Sequence, residues 1–167
     1  MKTTVLLFAL VLFSYSSFAQ DDDYEDKPFK FGLGGTISLP LSDLKESTSY
    51  GVGFEVTGVY TFAEHVAVFA QTGINVFKGK SVYGYDESSL MHVPFLAGAR
   101  FKAGGFFVGA GAGYGRFIGD GDSAGGFTYS PQAGYELENL QFMLHYTSTS
   151  LTGGSLSYVG LKVFRTF

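Results

Sequence analysis

His145 and Thr147 stand two residues apart, and positions i and i+2 of a β-strand share a face, so an imidazole base could lie beside a hydroxyl nucleophile. Such a pair is the minimum for acyl transfer. Asp120-Gly121-Asp122-Ser123 has the oxygen spacing of part of a calcium loop, but the further acidic ligand and the closing Glu are missing, so a flexible polar link is expected. The glycines at 109, 111, 113 and 115 do not form a phosphate cradle, because they alternate along a strand pattern and no helix follows to supply amides. His65 and His92 add no common metal-ligand spacing. These residues specify no catalytic, cofactor-binding or metal-ligating set.

The elements that must position them are strands. Eight segments alternate with period two, and each has an apolar face. They run over Phe29–Leu39, Tyr50–Phe62, Val66–Lys78, Leu90–Phe101, Phe106–Ile118, Phe127–Leu137, Leu140–Thr147 and Leu156–Phe167. In the first, Phe29, Phe31, Leu33, Ile37 and Leu39 oppose Lys30, Gly32, Gly34, Thr36 and Ser38. The third is the least regular, since Phe69 and Phe77 break its pattern. In the fifth, the glycine row marks a face that something approaches closely, as in a narrow barrel lumen. The alternation carries His145 and Thr147 to the inward face, where they read as hydrogen-bonded lumen residues.

The links alternate in length. Ala63-Glu64-His65, Lys102–Gly105 and Glu138-Asn139 are tight, whereas Pro40–Ser49, Gly79–Ser89, Gly119–Gly126 and Ser148–Ser155 are longer and polar. Short turns at one rim and long loops at the other, with an even strand count, is the outer-membrane arrangement. The termini and tight turns are expected in the periplasm and the long loops outside.

The N-terminus is laid out as a secretory signal: Lys2, an apolar Val5–Phe13 stretch, then Ser17-Phe18-Ala19 before a cut. Residues 1–19 are expected to be removed, leaving an acidic leader over 20–28 and one barrel domain over 29–167. The apolar stretch is shorter than the roughly 20 residues of a spanning helix. With no cysteine, a disulfide framework, a thiolate metal site and a lipid-modified cysteine are all excluded. A net charge of -4 gives no reason to expect nucleic acid as a partner.

The rival to a membrane barrel is a soluble eight-stranded barrel with an apolar calyx. Charged residues make up only 16% of the chain, whereas a soluble exported barrel would carry more Lys and Glu on its outer face. The apolar faces carry almost no charge, aromatics recur near their ends, and the opposite faces are rich in Gly, Ser and Thr, which favours the membrane. The fold class is therefore all-β: an eight-stranded antiparallel up-and-down transmembrane β-barrel.

Two stretches carry a family resemblance: Met91-His92-Val93-Pro94-Phe95-Leu96-Ala97-Gly98-Ala99-Arg100-Phe101 and the ending Tyr158-Val159-Gly160-Leu161-Lys162-Val163-Phe164-Arg165-Thr166-Phe167. The chain resembles the small outer-membrane β-barrel family of Gram-negative bacteria, of the OmpA and OmpX type. The resemblance implies location in the cell outer membrane, contact with its lipids, and a terminal aromatic strand read by the barrel-insertion machinery. Arg165 departs from that ending, as it falls on the apolar face two residues from the end, where a rim position would let it snorkel. No periplasmic domain is expected after the barrel, so a grip on peptidoglycan does not carry over. One class of eight-stranded barrel deacylates lipid A with a His-x-Ser pair on its outer wall; here Thr147 replaces serine and the pair faces inward.

The expected function is non-enzymatic: a plugged polar lumen, a contribution to the envelope, and loops offered to an unidentified surface partner. A narrow pore for small solutes and a lipid A deacylase are the alternatives. Lys30, Arg100 and Glu136 are expected as a lower polar layer, with Glu55 and Lys162 half-way up on the two strands flanking the first and His145 at a similar height. Shielded from solvent, Glu55 would be uncompensated unless Lys162 or water reaches it.

Overall fold

A computed structural model describes residues 28–82, 85–86, 89–119 and 121–167. The alternating segments form β1 (Phe29–Leu41), β2 (Thr48–Ala63), β3 (Val66–Gly79), β4 (Leu90–Ala103), β5 (Phe106–Ile118), β6 (Ser123–Leu137), β7 (Leu140–Leu151) and β8 (Gly154–Thr166). Each strand is antiparallel to its sequence neighbours, and β1 pairs with β8 from Gly32↔Thr166 to Leu41↔Ser157. The sheet closes into a barrel, so among the described residues the eight barrel strands have no open edge for another chain to extend. At the seam Phe167 N donates to Phe31 O at 2.8 Å, so the last residue takes part in closure.

At one rim Glu64-His65, Gly104-Gly105 and Glu138-Asn139 join the strands. Gly104 (φ 60°) and Glu138 (φ 46°) take the left-handed backbone that a two-residue hairpin turn demands. At the other rim the links differ from expectation in three places. In place of an irregular Pro40–Ser49 loop, β1 runs to Leu41 and a short helix α1 (Ser42–Ser47) follows. The strand β6 begins at Ser123, not Phe127, and β7 and β8 extend to leave only Thr152-Gly153 between them, not Ser148–Ser155. The hydroxyl residues that look like loop are paired in the sheet: Thr149↔Leu156 and Ser148↔Ser157, with Ser157 Oγ donating to Ser148 Oγ at 2.9 Å. The link 80–89 contains a two-residue ribbon of Ser81–Val82 with Tyr85–Asp86. The expected signal peptide over 1–19, the leader short of Pro28, and Asp120 lie outside the described residues.

The two faces divide as the alternation requires. Ile37 is 65% and Leu161 63% exposed on the outer wall, whereas Thr36, Ser38, Gln71 and Lys162 are buried inside. Outward aromatics gather at the short-turn rim, where Phe29 pairs with Tyr60 and Tyr135 with both Phe106 and Phe142. The alternation of β3 is unbroken, contrary to its irregular look in sequence. Phe69 and Phe77 are inward residues, buried alongside Gln71 and Asn75, and fill the bore with ring rather than with polar groups.

Large inward side chains face glycines on the adjoining strand. Glu55 pairs with Gly73, Arg100 with Gly109, His145 with Gly160 and Phe164 with Gly34. A Cβ at Gly73 would stand 2.4 Å from Glu55 Cγ, and one at Gly160 2.6 Å from His145 Nε2. Eight strands leave an interior just wide enough for side chains, so each large residue needs a missing one beside it.

Candidate functional site in the lumen

The inward side chains stack in layers from the short-turn rim upward. Lowest, Lys30 Nζ is 2.7 Å from Glu136 Oε1 and Lys102 Nζ is 3.4 Å from Glu136 Oε2. Lys102 was not legible as a lumen residue because it belongs to a turn in the sequence pattern. Arg100 lies above, and it does not pair with Glu136; its guanidinium is held between the rings of Phe69 and Phe107, 4.4 and 4.7 Å from their centroids. Its amino groups donate to Gln141 Oε1 at 3.1 Å and to Gln132 Oε1 at 3.5 Å. Aromatic faces and amide oxygens attract the cation without a carboxylate. Phe107, Met143 and Phe164 pack together in the same part of the bore.

The next layer is a buried ion pair. Lys162 Nζ donates to Glu55 Oε2 at 2.7 Å, with the two side chains 2% and 1% exposed. Asn75 Nδ2 donates to Glu55 Oε1 at 3.0 Å and Gln71 Nε2 to Glu55 Oε2. The β-register explains the meeting, since β1 lies between the partners: Gly34 pairs with Glu55 on one side and Thr36 with Lys162 on the other. Small inward residues on β1 leave the space across which the two side chains reach. A pair so enclosed repays its desolvation only when further hydrogen bonds hold it, as the two amides do here.

Above it runs a chain of hydroxyls and imidazoles. His145 Nδ1 is 3.0 Å from Thr147 Oγ1, which is 2.9 Å from Ser130 Oγ. The geometry suits a base and a hydroxyl, yet both residues are buried in the bore, and Thr147 Oγ1 is also engaged by Ser130. His92 Nδ1 is 3.0 Å from the Tyr158 hydroxyl, and the His92 ring stacks on Phe117 at 4.1 Å. Both imidazoles meet the Tyr158 ring edge-on at 5.6 Å. That convergence was invisible in sequence, where residues 92, 145 and 158 share no motif. His65 lies apart, in the turn between β2 and β3.

The bore ends in an apolar cap. Leu44 of α1 is fully buried against Phe77, Phe117 and Tyr158, with Leu90, Leu151 and Leu156 around them. Thr48 Oγ1 donates to Leu44 O at 2.6 Å and holds the end of the helix to the start of β2.

A closed, all-antiparallel barrel of eight strands with an apolar outer wall and a polar bore matches one family model, the outer membrane protein β-barrel domain, over residues 5–164. The chain belongs to that family. Its place is the cell outer membrane. The barrel is similar to three solved outer-membrane proteins. Ail, the attachment invasion locus protein of Yersinia pestis, matches at 17% identity over 83% of this chain and 97% of its own, with a TM-score of 0.56. Neisserial surface protein A matches at 14% over 84% of this chain and 98% of its own, TM-score 0.51. The N-terminal β-barrel domain of Pseudomonas aeruginosa OprF matches at 13% over 83% of this chain and 97% of its own, TM-score 0.52. At such identities the likeness is one of fold. No curated protein matches the chain.

Proposed function

We propose that this barrel is a non-enzymatic envelope protein whose bore is closed to solutes and whose outer links are offered to the surroundings of the cell. The observation that carries the reading is the enclosed Glu55–Lys162 pair, fastened by Asn75 and Gln71 across a bore of eight strands. The cap of Leu44, Phe77, Phe117 and Tyr158 supports it from above, and the Arg100 layer from below. A deacylase would need its base and nucleophile on the lipid-facing wall; His145 and Thr147 point into the bore. Biogenesis in this reading uses the barrel-insertion machinery, with the terminal strand β8 and Phe167 as the recognised end.

Planar-bilayer recording tests the closure. The native protein is expected to give no steady single-channel conductance, and Glu55→Ala to raise it or to destabilise the barrel. Steady conductance by the native protein would replace the closed bore with a narrow pore. Lipid A mass spectrometry of cells carrying the protein is expected to show no loss of an acyl chain; such a loss, abolished by His145→Ala, would make the protein a deacylase.

A further inference from the structure

The outer wall is not evenly apolar in relief. Gly58 on β2 pairs with Ala70 on β3, Ala70 with Ala97 on β4, and Ala97 with Ala112 on β5, so four small outward residues form one row across four strands. Taller residues border the row. Val56, Thr72 and Phe95 stand one outward step above it, and Phe31, Gly58's partner on β1, closes one end. The ring of Phe29 leans over Gly58, where a Cβ would come within 3.2 Å of it. The result is a trench of about 550 Å³ in the wall.

We propose that this trench seats one acyl chain of a phospholipid from the periplasmic leaflet. The trench is continuous with the apolar wall, and the wall of an outer-membrane barrel faces hydrocarbon, so a hydrocarbon chain is the ligand chemistry available at that depth. Ala70 is four residues above the start of β3, and Ala97 and Ala112 are six from the short-turn ends of β4 and β5. At a rise of about 3.3 Å per residue and a tilt of about 45°, these residues lie roughly 9 to 14 Å above the rim, between the periplasmic part and the middle of an apolar band about 25 Å tall, a depth that the acyl chains of the periplasmic leaflet reach. The floor of glycine and alanine carries no side-chain polar group, and on the border the Thr72 hydroxyl is turned to Pro94 O at 2.8 Å. A second barrel would meet the raised Phe29, Phe31 and Phe95 before it reached the floor, whereas a flexible chain follows a narrow trench and gains dispersion contacts along its length.

The test compares the native protein with Ala97→Phe, which fills the trench, and Ala133→Phe, which adds the same bulk to the exposed wall on β6. Each is extracted from cells in mild detergent, checked for folding by circular dichroism, and weighed by native mass spectrometry. The native protein and Ala133→Phe are expected to retain one phospholipid, and Ala97→Phe to lose at least tenfold of that occupancy. Independently, a phospholipid spin-labelled in mid-chain should broaden the Ala70, Ala97 and Ala112 methyl signals of the native protein in nanodiscs more than that of Ala133. Equal retention by all three proteins, equal loss in both variants, or uniform broadening would overturn the site. Retention of lipopolysaccharide instead would move the ligand to the outer leaflet, and a cross-linked dimer lost only in Ala97→Phe would replace it with a second copy.

Discussion

At the scale of single residues, the lumen shows how one substitution separates the worth of a pair from the cost of orphaning it. Glu55→Ala leaves Lys162 enclosed with no carboxylate, and breaking a buried pair in this way costs about 3 to 5 kcal/mol. Replacing both partners by methionine removes both charges and is expected to cost less than either single change. Urea unfolding of the barrel in lipid vesicles measures all three. On the outer wall the same logic runs through hydrocarbon: Leu161→Arg, at a residue 63% exposed near mid-strand, is expected to destabilise by about 2 to 4 kcal/mol. Thr152→Arg, in the exposed link between β7 and β8, should change stability by under about 0.5 kcal/mol. Equal effects at the two positions would contradict the assignment of faces.

At the scale of strands, the pairing of large residues with glycine is the constraint. Gly73→Ala puts a Cβ 2.4 Å from both Glu55 Cγ and the backbone oxygen of Phe54, and overpacking of this kind costs about 1 to 3 kcal/mol. Gly35→Ala is the internal control, since its Cβ would find only Gly53 O at 3.9 Å; it should be neutral or stabilising in the same unfolding assay. The closing strand carries a second expectation. Removing Phe167 deletes two seam hydrogen bonds with Phe31 and the aromatic end of the strand. If the insertion machinery reads that end, outer-membrane abundance in cells should fall by a larger factor than refolding yield in vesicles, and unchanged values in both would remove Phe167 from any signal.

At the scale of the whole barrel, the proposed closure has two parts: the cap under α1 and the Glu55–Lys162 layer would act as separate obstacles in series. Leu44→Ser is therefore expected to leave planar-bilayer conductance at the native level, because the ion pair still fills the bore beneath it. Combined with Glu55→Ala and Lys162→Ala, it should raise conductance above what the charge-layer changes produce without it. Conductance in Leu44→Ser alone would make α1 the sole gate.

Strand number, the inward and outward faces, and the meeting of Glu55 with Lys162 were legible in the sequence. Period-two alternation fixes which side a residue faces, and barrel closure makes β2 and β8 the neighbours of β1. The paired carboxylate and amine also declared themselves chemically, as inward charges with few possible partners. Three features needed the tertiary structure. The Ser148–Ser150 stretch reads as loop because hydroxyl residues suit turns and strands alike, and only its ladder with β8 decides between them. Phe69 and Phe77 look misplaced on a polar face, yet an interior just wide enough for side chains favours rings set against glycines, Phe69 against Gly111 and Phe77 against Gly51. Arg100 was expected in one lower polar layer with Lys30 and Glu136 from its distance to the short-turn rim; the structure seats it between two rings and two amides, because the nearest groups across the bore depend on the register of five strands at once. Periodicity is local and survives in the sequence, whereas who meets whom across a closed barrel is a property of its shear, which no single strand encodes.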